Sequence, residues 1–350
     1  MKLPKELQKK KKGNKKKIPT SERIEFSKMI SKINRKCRFK GCLYPDKSSC
    51  TVPSSIRAHS IQKNKILRAI SSSGEVMHFD VHNTLFDNTL GPVGINEAST
   101  FFGFCNYHDT TIFSEIENKE YIESKKQIFL FAYRACAFEY AMLIYVYCHS
   151  KEMMKEETDY TKKMFWFSKN IKDKTDLYDM KKKLDRFSGE FNKSEDERNY
   201  DVLYSKTLQL NGRSLFAVNS AFSLYYDFDR NEIYDPYDYS IELPTIFLNV
   251  FPQNDKTFII ISCFLEHFNK FKNIFDNLDK FDNSQLEAII SQIIVVHCEN
   301  LFISPDIWLR ISKKKRESFI LRFKETTIAP AEESYLSNSP PLNLFRELRE

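Results

Sequence analysis

The chain has 350 residues, of which 41% are hydrophobic and 14% aromatic, so it is long enough to bury one large core or two ordinary ones. It has only 8 Gly and neither of the patterns G-x-G-x-x-G and G-x-x-x-x-G-K-[ST] that cradle phosphates, which argues against a nucleotide-binding α/β enzyme. The net charge of +7 is unevenly spread: residues 1–40 carry 16 Lys and Arg against 3 Asp and Glu, so the other 310 residues carry −6.

The N-terminus is the most basic part of the chain. The run KKKKGNKKK at 9–17 has no apolar residue, so residues 1–20 are predicted to form a disordered tail. A run of this kind attracts phosphate polyanions without reading their sequence, and it is equally suited to a solubility tail. No apolar stretch follows it, which predicts a cytoplasmic protein without a signal peptide. The eight cysteines are therefore expected to be reduced, and clustered ones to be metal ligands before disulfides.

Predicted helices and strands follow one another in blocks. A short helix is expected from Ser21 to about Ile33, and a segment rich in Cys, His and strand-like runs extends from Cys37 to Phe113. The pattern over residues 122–208 is helical and highly charged. Residues 214–263 are β-rich and are followed by three predicted helices.

The most apolar stretch, IFLFAYRACAFEYAMLIYVYC at 128–148, is long enough to cross a membrane. Arg134 and Glu139 interrupt it near the middle, where a charge is costly in lipid. We therefore expect a buried helix and no membrane contact, with the two charges paired to each other or to neighbouring segments.

Five residues that bind soft metals lie in the Cys- and His-rich segment: Cys37, Cys42, Cys50, Cys105 and His108. Cys37 and Cys42 flank RFKG, and Cys42 and Cys50 flank the turn-forming LYPDKSS, which are zinc-knuckle-like spacings. Cys105 and His108 are three residues apart, so on a helix they share a face and complete a zinc tetrahedron. Five ligands are one too many, and we favour Cys42, Cys50, Cys105 and His108. The alternative is that the cysteines are buried thiols.

A histidine follows the cysteine knuckle. His59 lies in the strand-like SIRAHSI, nine residues after Cys50, and the later TFFGFCNYHDTTIF carries Cys105, His108 and Asp109. A knuckle, then a strand with a His, then a helix with C-x-x-[CH] and a further ligand resembles the HNH (ββα-metal) endonuclease family. The resemblance covers about 75 residues of the chain.

The resemblance implies roles for individual residues. His59 would be the general base that activates water, and Asp109 would stand for the family's final His, which ligates the catalytic Mg²⁺ or Mn²⁺. Cys105 and His108 would belong to the structural Zn²⁺. Thr100 stands where the family has Asn, and the 41 residues from His59 to Thr100 imply an insertion at 62–97.

Two further motifs are set aside. HFDVHNTLFD at 78–87 resembles the haloacid dehalogenase opening motif with Asp80 as nucleophile, but no later G-D-x-x-x-D follows it. DFDRNEIYDPYD at 227–238 begins like a calcium loop, but Glu232 stands where the sharp turn needs Gly, so a hairpin turn is predicted.

We therefore predict an α+β protein in two parts. Residues 21–120 form a zinc-stapled ββα-metal (HNH-like, treble-clef) module, and residues 121–335 form a helical, then β-rich domain, followed by a tail at 336–350. The resemblance implies an endonuclease that hydrolyses DNA, by analogy a bacterial anti-phage or restriction component. The alternatives are a zinc-binding nucleic-acid or protein interaction module without catalysis, and a phosphatase built on Asp80. The second domain is a candidate for contact with a partner protein or for homodimer formation.

Overall fold

The computed structural model describes residues 20–50, 52, 54–79, 90–235, 238, 240–328 and 342–349. Helices and antiparallel strands are both abundant, which confirms the predicted α+β class. The basic run at 9–17 and the motif residue Asp80 lie outside the described residues.

A small antiparallel pair of strands precedes a helix in the N-terminal part. Strand β1 (Arg57–His59) pairs with β4 (Thr100–Phe102), with His59 opposite Thr100, and helix α3 (Asn106–Asn118) follows. The long excursion between β1 and β4, predicted as an insertion, contains a further set of elements: a π-helical turn (Lys63–Leu67), α2 (Arg68–Ile70), β2 (Glu75–Phe79) and β3 (Leu90–Gly94). Helix α1 (Thr20–Cys37) comes before β1.

A seven-stranded antiparallel sheet forms the centre of the molecule. Its strand order is β3-β2-β9-β6-β7-β8-β5. Its C-terminal strands are β5 (Leu203–Asn211), β6 (Phe216–Phe222), β7 (Ile246–Gln253), β8 (Lys256–Phe264) and β9 (Leu301–Ile303).

Helices cover both faces of this sheet, because apolar side chains alternate along its central strands. Ala217, Phe247 and Ile260 pack with the long helices α4 (Lys125–Glu156) and α5 (Tyr160–Phe191). The neighbouring residues on the strands face the other helices: α6 (Phe268–Leu278), α7 (Asn283–His297), α8 (Pro305–Arg310), α9 (Lys313–Ile328) and α10 (Leu344–Glu347). The caps of α4 and α5 are Ser124 and Asp159, whose side chains accept hydrogen bonds from backbone N–H groups of the first turn.

The sheet crosses the predicted domain boundary at residue 120. Strand β2 pairs with β9, with His78 opposite Phe302, and the Asn300 side chain donates hydrogen bonds to the Ser60 hydroxyl (2.9 Å) and the Asn219 carbonyl (2.7 Å). The division at 120 stays a prediction, but the two parts share strand pairing and a buried polar contact.

The segment predicted as a tail, 336–350, contributes to the core where it is described. Residues 342–349 form α10 and its flanks, and Leu344, Phe345 and Leu348 are fully buried. The apolar residues of LNLFREL explain this, since α10 packs them against α7.

The prediction that Cys37 is a reduced thiol and a candidate ligand is wrong. Cys37 ends α1 and forms a disulfide with Cys148 in the last third of α4, with 5.4 Å between the two Cα atoms. The sequence interpretation expected all eight cysteines to be reduced, and no local spacing indicates this pair, which is 111 residues apart.

Among the described helices, α4 is the one with the length and composition of a membrane span, and 61% of its most apolar window is buried inside the protein. Arg134 and Glu139 lie within it, and Arg134 follows the second of the two expected alternatives, since it pairs with a neighbouring segment. Its partners are Glu117 and Asp109 of α3.

Candidate metal centre

Four of the five candidate ligands converge at the N-terminus of α3. Cys42 and Cys50 come from the loop between α1 and β1, Cys105 is the N-cap of α3, and His108 lies in its first turn. Backbone hydrogen bonds hold the loop against the chain that enters α3: Leu43 donates to the carbonyl of Gly103 (2.7 Å), and Ile56 to that of Phe104 (2.9 Å).

Gly103 permits this close approach. A Cβ atom at this position would lie 2.4 Å from the Phe101 ring and 3.2 Å from the Leu43 side chain. Any larger residue would therefore displace the Phe101 ring and crowd the Leu43 side chain, which is next to Cys42.

The four ligand atoms lie at the separations of a tetrahedral metal site. They are all within 4.8 Å of one another. The Cys50 and Cys105 sulfurs are 3.7 Å apart, and His108 Nδ1 is 3.5 Å from Cys42 Sγ, 3.5 Å from Cys50 Sγ and 3.2 Å from Cys105 Sγ. Zinc–sulfur bonds of about 2.3 Å and a zinc–nitrogen bond of about 2.0 Å give tetrahedron edges of about 3.8 and 3.5 Å. The group therefore has the geometry to hold a metal ion such as zinc.

The surroundings of the four ligands suit a cation. Cys42, Cys105 and His108 are almost fully buried. Burial, together with the neighbouring thiols of Cys105 and Cys42, raises the pKa of the Cys50 thiol to about 12. A divalent cation would lower the pKa of these thiols again, because it binds the thiolates and offsets their charge.

Second contacts orient the ligands. The Cys105 N–H donates to Cys42 Sγ at 3.3 Å, and the Tyr44 ring stacks on the His108 ring with centroids 4.1 Å apart. Burial, with the charge of Lys47, lowers the pKa of His108, which favours the neutral imidazole that binds metals.

His59, the predicted base, lies on β1. Its Nε2 is 3.0 Å from the Ile95 carbonyl oxygen, so Nε2 carries the proton in this contact and Nδ1 is the basic nitrogen. Burial is the main cause of its lowered pKa, which the Ile95 contact and the charge of Glu117 oppose. His59 is therefore held neutral at pH 7.

The structure places Thr100 opposite His59 in the strand pair but gives its hydroxyl another partner. Thr100 Oγ1 donates to the Glu97 carbonyl at 2.7 Å, within the turn that enters β4. The Thr100 hydroxyl, at the position of the family's Asn, therefore closes that turn.

Residues that are adjacent on a helix point about 100° apart. His108 faces the other three ligands, and Asp109 therefore faces helix α4. Its Oδ1 is 3.7 Å from Nη2 of Arg134, whose Nη1 pairs with Glu117 and whose guanidinium lies 4.2 Å over the Phe113 ring. Asp109 Oδ1 and Arg134 Nε are buried and have no hydrogen-bond partner among the described residues. Burial raises the pKa of Asp109, and Arg134 opposes that rise.

The sequence interpretation missed the part that Arg134 and Glu117 play here. Their charges act on the pKa of both His59 and Asp109, and Asp109 also contacts Arg134 directly. The signal for Arg134 was present, since an arginine in the middle of an apolar helix needs a partner. Spacing alone did not show that the partner belongs to α3.

A second group of metal-ligating types is a charge network instead. Glu242, Glu266 and His267 lie together, but Arg186 pairs with both glutamates, and Lys183 is 3.8 Å from Glu242. These cations already neutralise the carboxylates, so this group is a poor site for a dication.

No protein-family model, no curated protein and no solved structure matches this chain.

Proposed function

We propose that Cys42, Cys50, Cys105 and His108 bind one structural zinc ion, which fixes the loop after α1 to the start of α3. The sulfur and nitrogen separations and the burial of the site support zinc over hard cations, which prefer oxygen ligands. Zinc would thereby join the segments on either side of the β1–β4 pair.

We further propose that the chain is a metal-dependent, HNH-like endonuclease that hydrolyses DNA. The observation that carries this proposal is the β1–β4–α3 order beside the Cys₃His group, with His59 on β1 and Asp109 next to His108 on α3. The basic residues 1–40 favour attraction of a phosphate polyanion.

In this proposal His59 accepts a proton from the attacking water. The hydrogen bond to Ile95 fixes Nε2 as the protonated nitrogen, so Nδ1 is the atom that takes the proton. The lowered pKa of His59 keeps it in the neutral, basic form at pH 7.

Asp109 is the residue that would hold the catalytic Mg²⁺ or Mn²⁺, through Oδ1, which accepts no hydrogen bond from the described residues. Arg134 contacts this atom only at 3.7 Å and has a closer partner in Glu117, so it keeps a counter-ion when Asp109 turns to a cation. A bound dication would neutralise charge on the scissile phosphate.

Cleavage of supercoiled plasmid with Mg²⁺ or Mn²⁺ tests this proposal. We expect His59→Ala and Asp109→Asn to slow cleavage by about 10²–10⁴-fold each. The matched control is Glu97→Gln, which removes an exposed carboxylate at the edge of the same strand pair. No cleavage by the wild type, or equal cleavage by all four proteins, contradicts the nuclease proposal.

The second candidate is a zinc-stabilised interaction module without catalysis. The observation that favours it is the burial of Asp109, whose side chain is 18% exposed and lies against the buried Arg134. Retention of DNA by the wild type and by His59→Ala, with no cutting by either, would support this candidate.

A further inference from the structure

Helix α5 carries an exposed apolar stripe along its first half. Tyr160, Met164, Phe167, Ile171 and Tyr178 are 77%, 44%, 48%, 54% and 66% exposed. Their spacing of 4, 3, 4 and 7 residues places all five within about 60° of arc on a helix that turns 100° per residue. We call this set the α5 stripe.

The α5 stripe is distinct from the face of α5 that packs on α4. Met180, Leu184 and Phe187 are buried on that face, which lies about 160° away around the helix. Phe165 is 61% exposed and lies about 130° from the centre of the stripe and about 70° from the centre of the packed face. The stripe is thus a surface feature with no role in the core.

Lysines flank the stripe, and acids are directed away from it. Lys163 and Lys174 are exposed, lie within about 60° of its centre and form no ion pair with any described residue. The two acids between Tyr160 and Tyr178 are Asp173 and Asp176, which lie on the opposite side and pair there with lysines. The stripe therefore combines aromatic rings with uncompensated positive charge.

The charges of Lys163 and Lys174 favour an anionic partner over a second copy of the chain as the occupant of the α5 stripe. Two copies of the stripe facing each other would bring Lys163 and Lys174 of both chains into one interface without acids, which is destabilising. An anionic partner gains from the same lysines. Three of the five stripe residues are aromatic, and exposed rings flanked by lysines are the combination on which unpaired bases stack.

We propose that the α5 stripe is a binding surface for single-stranded nucleic acid, with bases on Tyr160, Phe167 and Tyr178 and phosphates near Lys163 and Lys174. The stripe is about 27 Å long, which spans several nucleotides. Paired bases would not expose their faces to these rings, so the surface should prefer single strands to duplex. This proposal extends the nuclease proposal to a separate surface and does not depend on catalysis.

Fluorescence anisotropy with a fluorescein-labelled oligo(dT) of 20 nucleotides tests it. The full chain carrying His59→Ala, without added Mg²⁺ or Mn²⁺, serves as the reference, so cleavage does not interfere. We expect Phe167→Ala to raise Kd by about fivefold or more. Phe165→Ala removes an equally large exposed ring from the same helix and should leave Kd unchanged. The basic N-terminal run is common to all variants and cancels in the comparison.

Lys163→Gln/Lys174→Gln should reduce the slope of log K against log salt by about 1.4, since each phosphate contact contributes about 0.7 in a single strand. Circular dichroism melting curves establish that the variants are folded. Equal Kd values for Phe167→Ala and Phe165→Ala, or no oligo(dT) binding by the reference protein, would overturn the proposal.

Three other outcomes count against it. Equal affinity for a 20-base-pair duplex removes the stacking role. Binding to vesicles of anionic lipid but not to oligo(dT) assigns the stripe to a membrane surface. A dimer in analytical ultracentrifugation that Phe167→Ala dissociates assigns it to a second copy. If the protein does not cleave plasmid but Phe167→Ala still raises the Kd for oligo(dT) and Phe165→Ala does not, the nuclease proposal is contradicted and the proposal for the α5 stripe is supported.

Discussion

Arg134 joins two parts of the chain through one side chain. It is 2% exposed, extends from α4 and contacts Glu117, Asp109 and the ring of Phe113, all on α3. A guanidinium buried to this extent depends on its partners, because removal of either member of a buried pair leaves a charge without compensation. Arg134 therefore fixes the orientation of α3, the helix that also carries Cys105 and His108.

We predict that Arg134→Met lowers the free energy of unfolding by about 3 kcal/mol. Arg186→Met is the matched control, because Arg186 also has two acidic partners but its side chain is 38% exposed. We expect the control to cost less than about 1 kcal/mol. Urea denaturation of the three proteins measures both, and equal losses would contradict the role given to Arg134.

The pH dependence of cleavage is a second prediction for a single residue. Burial lowers the folded-state pKa of His59 below its usual 6.5, so the neutral base persists as pH falls through 6.5. We expect the acid limb of the cleavage-rate profile to lie below pH 6.5. A limb centred at or above 6.5 would exclude His59 as the titrating base.

At the level of elements, the sequence predicted what depends on short spacings. The set Cys42, Cys50, Cys105 and His108 follows from two local pairs, and the structure brings these four together. The strand at His59 and a helix bearing Asp109 were also predicted from local pattern.

Contacts between elements that are distant in sequence could not be predicted from short spacings. The Cys37–Cys148 disulfide, the Arg134–Glu117 pair and the insertion of β2 between β3 and β9 all join segments that no local pattern links. Local pattern is also ambiguous at the start of α7: Ser284 with Glu287 has the spacing of a capping box, but the box forms between Asp282 and Gln285.

The disulfide at the end of α1 yields a prediction for that element. Cys37 is bonded to α4, and the Lys36–Glu152 ion pair and the Tyr145–Asn34 hydrogen bond are weaker polar links between the same helices. We expect Cys148→Ala to make the chain after Arg35 and Lys36 cleavable by trypsin at a markedly lower protease concentration. Cys136→Ala, a free buried cysteine on the same helix, should not. Identical digestion patterns would show that α1 is held by other contacts.

At the level of the whole molecule, the structure argues for interdependence of the two predicted parts. Phe79 of β2 stacks on Phe323 at 3.8 Å and lies 5.3 Å from Phe319, both on α9. Phe104 and Phe113 of the N-terminal part pack against Tyr133 of α4. Separation at residue 120 would expose these rings.

We therefore predict that a fragment of residues 20–120 does not fold alone, even with a stoichiometric amount of zinc. Its amide NMR spectrum should show the narrow dispersion of an unfolded chain, whereas the full chain with zinc gives a dispersed spectrum. A well-dispersed spectrum from the fragment would establish 20–120 as an independent domain, as the sequence division implied.

The proposed zinc centre is the feature on which the other proposals depend, and zinc X-ray absorption of the purified full chain tests it most directly. We expect one zinc per chain with three sulfur ligands at about 2.3 Å and one nitrogen at about 2.0 Å. Cys105→Ala should lose this signature, and Cys263→Ala, which removes a buried free cysteine of β8, should keep it. Absence of zinc, or a shell of oxygen and nitrogen without sulfur, would contradict the account.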